Sequence, residues 1–231
     1  MGSDVRLASV AMDKNKYVRL KTKDENQVRS AISSISKYID VAIVGDYELY
    51  EYVCDSFKKV VIIRQAVDLQ QYTPFIPSRS NKKPVIVHAP SDKNIKGTEY
   101  VVEAVASLEK DYDLEFIMVH GVPHHQAKEI YQGSDIIVDQ LLCGTHGVFA
   151  VESMAMGKPV ICYIRDDLRD TYPQGLPVVS ANPENIYEQL KCLVENPDLR
   201  SELGQRGREY AEKHHDSLKI AKQLMDLYES L

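Results

Sequence analysis

Residues 143–161 read Cys143-Gly144-Thr145-His146-Gly147-Val148-Phe149-Ala150-Val151-Glu152-Ser153-Met154-Ala155-Met156-Gly157-Lys158-Pro159-Val160-Ile161, and this stretch decides the fold. A strand-like run, Asp135 to Asp139, leads into it through a glycine-containing turn. A short helix follows with one acid, Glu152, in its second turn, and Gly157 caps it before a new strand. That is one repeat of an open α/β sheet. It leaves a helix N-terminus at the strand's C-terminal edge, where unpaired N–H groups and the helix dipole favour an anion. Helical side chains lean toward the N-terminus, so Glu152 can reach back toward whatever the turn holds.

The same alternation extends outward. Strand Pro84 to His88 precedes a helix from Thr98 to about Lys110, and strand Leu114 to His120 precedes one from about Pro123 to Gln132. Strands Pro159 to Ile164 and near Val178 follow. The expected fold is therefore α/β, a Rossmann-like parallel sheet with helices on both faces. Upstream, Val41 to Gly45 and Val60 to Ile63 read as strands around a helix at 46–57, while residues 1–35 are weakly patterned. Asp68 to Pro84 holds three prolines and reads as a linker. Three helices close the chain. The first is expected to start at Pro183 with Asn182 as its cap. Asn196-Pro197 separates it from the second, and the last carries an apolar face of Ile220, Ala221, Leu224, Leu227, Tyr228 and Leu231.

Composition narrows the function. The 231 residues are 44% hydrophobic, with 28 basic and 34 acidic side chains and a formal net charge of -6, which argues against a nucleic-acid surface. Lys14, Lys16, Arg19, Lys21 and Lys23 make a local basic segment, most simply a solvated surface and otherwise a polyanion or peripheral membrane contact. Cys54, Cys143, Cys162 and Cys192 form no C-x-x-C pair, which suits reduced thiols in a cytoplasmic location, at most touching the membrane's inner face. No run approaches the ~18 apolar residues of a membrane span. Met1-Gly2-Ser3 is compatible with an expression scar.

Ligands of such sheets sit beyond the C-terminal strand ends. The candidate residues are Ser91 to Gly97, then Gly121, Val122, His124 and His125, then Asp139, Gln140 and the turn Gly144-Thr145-His146-Gly147. Lys96 and Lys93 could supply charge for a diphosphate, although the Walker pattern is absent. His124-His125 is a poor metal pair, because adjacent helical residues point apart and no third ligand lies at suitable spacing. His146, in the anion turn, is the better polar candidate. No nucleophile elbow or G-x-G-x-x-G is present.

Asp135-Ile-Ile-Val-Asp139, followed by Gly147-x4-Glu152-Ser-Met-Ala-Met-Gly157-Lys-Pro159-Val-Ile, resembles the nucleotide-sugar half of group 1 (family 4) retaining glycosyltransferases of GT-B architecture. The resemblance runs from about residue 40 to the C-terminus, and Arg64 to Leu69 matches the family's crossing between its two domains. It implies a UDP-, GDP- or ADP-sugar donor, no bound metal or other cofactor, and transfer to an unknown acceptor with retention, as in glycan or polysaccharide biosynthesis. By position, Lys96 beside Gly97 would hold the diphosphate, Glu152 the ribose, and the turn up to Gly147 with the Val148 and Phe149 amides would face phosphate and sugar. Val122 lies on the same edge. The catalytic base is not assigned.

Two positions depart from that pattern. The first acid of E-x7-E falls at Gly144, and the phosphate-binding arginine falls at Ser91, for which Lys93 is the nearest substitute. Two full Rossmann-like domains need on the order of 300 residues. Residues 1–80 are thus expected to be a partial acceptor-side domain and linker, and 81–231 the nucleotide-sugar domain with C-terminal helices. A fragment or degenerate product follows, the last helix packing back across both parts. The alternatives are a non-catalytic nucleotide-sugar-binding module, an epimerase of similar architecture, and a subunit completed by a homodimer partner or a separate N-terminal domain.

Overall fold

Short apolar runs form five parallel strands, the central ones apolar on both faces and one edge strand, Glu115–Met118, half-exposed. These are β3 (Val85–His88), β4 (Glu115–Met118), β5 (Ile136–Val138), β6 (Val160–Ile161) and β7 (Val178–Val179), in the order β4-β3-β5-β6-β7. The computed structural model describes residues 5–231, so Met1-Gly2-Ser3 lies outside the described residues. Side chains alternate across the sheet. Val87 and Ile137 face a core closed by α6 (His124–Gly133), α7 (Val148–Ala155) and α9 (Pro197–His214). Ile86, Ile136 and Val138 face one closed by α5 (Thr98–Leu108) and α8 (Ile186–Glu195). The expected Rossmann-like sheet with helices on both faces is what forms.

The chain passes from β3 to β4 on one side and returns to β5 on the other. Ile86 accordingly pairs with Phe116 and with Ile136. β3 and β5 stay paired to His88 and Val138, and the connections that leave them run to opposite sides of the sheet, which opens a crevice at this switch point.

A second, two-stranded parallel sheet holds β1 (Val41–Val44) and β2 (Lys59–Ile62), linked by α3 (Tyr47–Val53). Two helices that the sequence pattern did not reveal, α1 (Ala8–Lys14) and α2 (Glu25–Ser36), complete its core with Leu7, Ala11, Val28 and Ile32. Each buries so few apolar residues that its periodicity is faint. Asp24 nonetheless caps α2, accepting from the Gln27 N–H at 3.1 Å.

The segment Asp68–Pro84 is irregular except for a 3-10 turn at Leu69–Gln71, yet it lies against the large unit. The Phe75 N–H donates to the Met156 carbonyl at 2.9 Å. Gly157, in the left-handed region at φ 71°, has the Ile76 side chain where its Cβ would sit.

Three expectations need correction. The stretch before Gly97 is not all loop: α4 (Lys93–Lys96) is a single helical turn capped by Asp92, and Gly97 ends it at φ 75°. Helix α8 starts at Ile186 rather than Pro183, because Asn182 nucleates a preceding turn through its side chain and the Glu184 N–H. Helix α10 (Ser217–Glu229) does not pack its apolar face across the two units. Only Ile220 is buried, while Leu218, Met225, Tyr228 and Leu231 are exposed. Its root alone is fixed, by the Val67 N–H to the His215 carbonyl at 2.8 Å and the Ser217 N–H to the Val67 carbonyl at 3.0 Å. Among the described residues no helix is long and apolar enough to cross a membrane.

Candidate functional site

The crevice at the switch point is a cleft of about 510 Å³ between the two sheets. The large unit contributes Ala89, Ser91, Lys96, Asp139, Gln140 and the residues Thr145 to Phe149. The small one contributes Arg6, Gly45, Asp46 and Leu49, and the segment between α1 and α2 adds Arg19 to Thr22.

Of the residues expected from sequence, Lys96, Thr145, His146, Gly147, Val148 and Phe149 meet in this cleft. Gly97 and Gly144 do not line the cleft; Gly97 packs toward Leu141 and Leu142, and Gly144 toward Arg165 and Asn15. Lys93 is exposed on the outer side of α4 and does not line it. Val122 lies outside the cleft, 41% exposed.

Lys96 ends α4 directly below β5. Its Nζ donates to Asp139 Oδ1 at 3.1 Å and to the Gln140 side-chain oxygen. Burial opposes its charge, but Asp139 more than offsets this and its pKa is raised. Asp139 Oδ2 also accepts from the Gly147 N–H at 3.2 Å. The next two amides, Val148 and Phe149, have no protein acceptor among the described residues. An ammonium and a free helix N-terminus therefore converge on one point, the arrangement that suits an anionic oxygen.

Glu152 sits one turn further along α7, beyond the cleft. Its Oε1 accepts from the Tyr72 hydroxyl at 2.8 Å and lies 3.8 Å from His124 Nε2. The acid on the buried helix thus has a structural partner. Its second oxygen has none among the described residues, and the side chain keeps 18% of its surface. Burial, and then Glu152, push the Tyr72 hydroxyl pKa upward.

His146 is buried, with no hydrogen-bond partner among the described residues for either ring nitrogen. Its ring lies 5.0 Å from Tyr172 and 5.8 Å from His215, centroid to centroid. Burial pushes its pKa down to about 4, so it is neutral at pH 7. Beneath it, the Thr145 hydroxyl bonds Asp46 Oδ2 at 2.9 Å and the Tyr172 hydroxyl at 2.6 Å, joining the two units.

Several residues at or near the site were not among those expected to form it. Asp46 lines the cleft and Arg165 packs behind it; they follow strands β1 and β6, so listing residues after every strand end would have found both. Arg6 sits in the weakly patterned N-terminal region, and Arg19 and Lys21 belong to the basic stretch 14–23, which reads in sequence as a separate surface or polyanion contact. Among the described residues, no group of three or more His, Cys, Asp or Glu side chains is placed to hold a metal ion.

Residues 95–226, more than half of the chain, match the glycosyl transferase-like family. The chain belongs to that family. This glycosyl transferase-like chain is 24% identical over 174 residues to the D-inositol 3-phosphate glycosyltransferase of Corynebacterium urealyticum, a match covering 74% of this chain and 39% of the relative. It is similar in structure to a sucrose-phosphate synthase from Thermosynechococcus elongatus, with a TM-score of 0.73 at 19% identity, covering 98% of this chain and 66% of that one. A second similar structure is Anabaena HepE in complex with UDP-glucose, with a TM-score of 0.69 at 13% identity, covering 90% of this chain and 68% of that one. These likenesses establish the GT-B glycosyltransferase fold. The chain thus spans well under half of the curated relative and about two thirds of either structure.

Proposed function

We propose that this chain is the donor-binding portion of a retaining glycosyltransferase that uses a nucleoside diphosphate sugar in glycan or polysaccharide biosynthesis. The observation that carries the reading is the convergence of Lys96 with the free Val148 and Phe149 amides at the mouth of the sheet. UDP-glucose in the similar structure supports a donor of that class. Residues 1–80 are read as the acceptor-side part and 81–231 as the donor domain.

In transfer, the bond between the anomeric carbon and the β-phosphate oxygen breaks and an acceptor oxygen bonds that carbon, giving up its proton to the departing diphosphate. Charge builds on the departing diphosphate. Lys96 and the helix N-terminus are fixed in advance to stabilise it, which lowers the barrier without reorganisation. The free oxygen of Glu152 accepts from ribose hydroxyls. Neutral His146, with both ring nitrogens buried, is read as part of the wall behind the donor sugar.

Calorimetric titration with UDP, GDP and ADP tests this, on the wild type and on Glu152→Ala. Tight binding of one nucleotide, weakened in the variant, is expected. Absence of binding by all three would overturn the donor reading. The Gly144 position favours one second reading, a nucleotide-sugar-binding module without transfer. Binding of the donor with no hydrolysis or transfer would be its signature.

A further inference from the structure

The segment between α1 and α2 belongs to the small unit yet crosses to the ligand edge of the large sheet. Buried Asn15 starts the crossing, its Nδ2 donating to the Leu142 carbonyl at 2.8 Å. Tyr17 meets Tyr163 edge-on, with centroids 5.5 Å apart. Arg19 donates to Asn94 Oδ1 at 2.7 Å and to the Tyr100 hydroxyl at 3.2 Å, and pairs with Glu99 at 2.5 Å. Asp24 then begins α2. The segment is pinned at both ends, with a cavity on each side. Lys23 lines the outer cavity with Met12 and Val18. Lys21 and Thr22 line the same cleft as Lys96 and the start of α7.

Charge pairing separates Lys21 from the other basic side chains of the cleft, and Lys23, likewise without a carboxylate partner among the described residues, lines the outer cavity instead. Four basic side chains line the cleft: Arg6, Arg19, Lys21 and Lys96. Arg6 pairs with Glu48 at 2.7 Å, Arg19 with Glu99, and Lys96 with Asp139 at 3.1 Å. Among the described residues Lys21 has no carboxylate partner. Lys96 shares its charge with Asp139, and Ser91 on the same wall offers none. A dianionic or trianionic ligand there needs a cation that is not already neutralised.

We propose that Lys21 is a diphosphate-binding residue of the donor site, delivered to it by the Arg19-anchored segment. This rests on the donor-site reading above. The segment so assigned is part of the basic stretch 14–23, whose Lys14 and Lys16 are paired with Glu51 and Glu184. Two outward lysines and one arginine hold the stretch to the body, and Lys21 is left for the ligand.

The test uses the full chain, Lys21→Gln and Lys21→Arg. Each is titrated with the tightest-binding of UDP, GDP and ADP and with the matching nucleoside, at low and high sodium chloride. Lys21→Gln should weaken the diphosphate about five- to tenfold, a charged contact discounted for solvent exposure. It should leave the nucleoside unchanged and flatten the salt dependence, and Lys21→Arg should retain affinity. A diphosphate affinity unchanged in Lys21→Gln would overturn the assignment and leave the donor site standing. So would equal weakening of nucleoside and diphosphate, which marks a distorted segment. A wild type that binds neither would overturn the donor reading and this assignment together.

Discussion

The side chain of Arg165 occupies the space that a side chain on Gly144 would need. A Cβ there would lie 2.9 Å from Arg165 Cγ and Cδ and 3.3 Å from Asn15 Nδ2, on a backbone at φ 80°. Arg165 is buried, and its guanidinium is forked between Glu51, at 2.9 and 3.1 Å, and Asp167, at 2.9 and 2.5 Å. Asp167 is held below the usual carboxylate range chiefly by its hydrogen bond to Arg165. The absence of the first acid of E-x7-E is therefore part of a packed ion cluster that ties α3 to the large unit.

Restoring that acid should fail. Gly144→Glu must displace a buried guanidinium from two carboxylates and hold a non-glycine residue at positive φ. A loss of roughly 2–4 kcal/mol in urea unfolding is expected. A midpoint equal to the wild type would show that Arg165 moves aside freely.

Lys96→Ala separates binding from folding. Removing the ammonium should weaken nucleoside diphosphate binding by about 1–3 kcal/mol, as for a charged hydrogen bond. It also strips Asp139, only 2% exposed, of its cation, so stability should fall as well. Lys96→Arg should recover stability more fully than binding, since the fork cannot place one point charge in the same spot. Diphosphate titration and urea unfolding on both variants check this, and undiminished binding in Lys96→Ala would remove its assigned role.

How much of this was legible in the sequence follows from how each feature is encoded. The five strands and their helices could be read because parallel strands buried on both faces are continuous apolar runs, as in Ile136-Ile137-Val138. The start and end of α7 were legible from Gly147 and Gly157. Helices α1 and α2 were not, because each buries only one or two apolar residues. The apolar face of α10 was legible, but a face in the sequence does not say what covers it. Asp46 follows a strand end and Lys21 lies in a visible basic stretch, but that they and Arg6 meet Lys96 in one cleft depends on tertiary crossing, which local pattern does not record.

The turn after α7 meets helix α9 backbone to backbone at Gly157 and Gly204. A Cβ on Gly204 would overlap the Gly157 carbonyl oxygen and press on Pro77 at 3.1 Å. The obstacle is backbone, so no rotamer change can relieve it. Gly204→Ala should cost roughly 1–3 kcal/mol by overpacking, despite alanine's better helix propensity. A raised melting temperature in that variant would mean that the helices can separate without loss.

Acid should unfold the chain through its buried histidines. His146 and His215 are both pushed down to about 4, first by burial, and the two rings face each other at 5.8 Å. His215 is fixed by its Nδ1 to the Gln65 carbonyl at 2.7 Å, and Arg64 adds a further unfavourable charge near both. Asp139 favours the charged form of His146 but does not outweigh burial. The unfolded chain takes protons on these rings near the ordinary value of 6.5, while the folded chain resists until about pH 4. Their contribution is therefore fully present above 6.5 and is lost as pH falls toward 4, each ring approaching a slope of about 1.4 kcal/mol per pH unit. The two titrate as a pair, because charging one opposes charging the other. Urea midpoints measured from pH 7.5 to 4.5 should hold down to about pH 6.5 and then fall in the wild type. His146→Phe removes one proton acceptor and two unpaired buried nitrogens, so its midpoint should fall less steeply over the same range. A wild-type midpoint flat across that interval would show that the folded chain takes up these protons as readily as the unfolded one, and that the rings are not sealed from water.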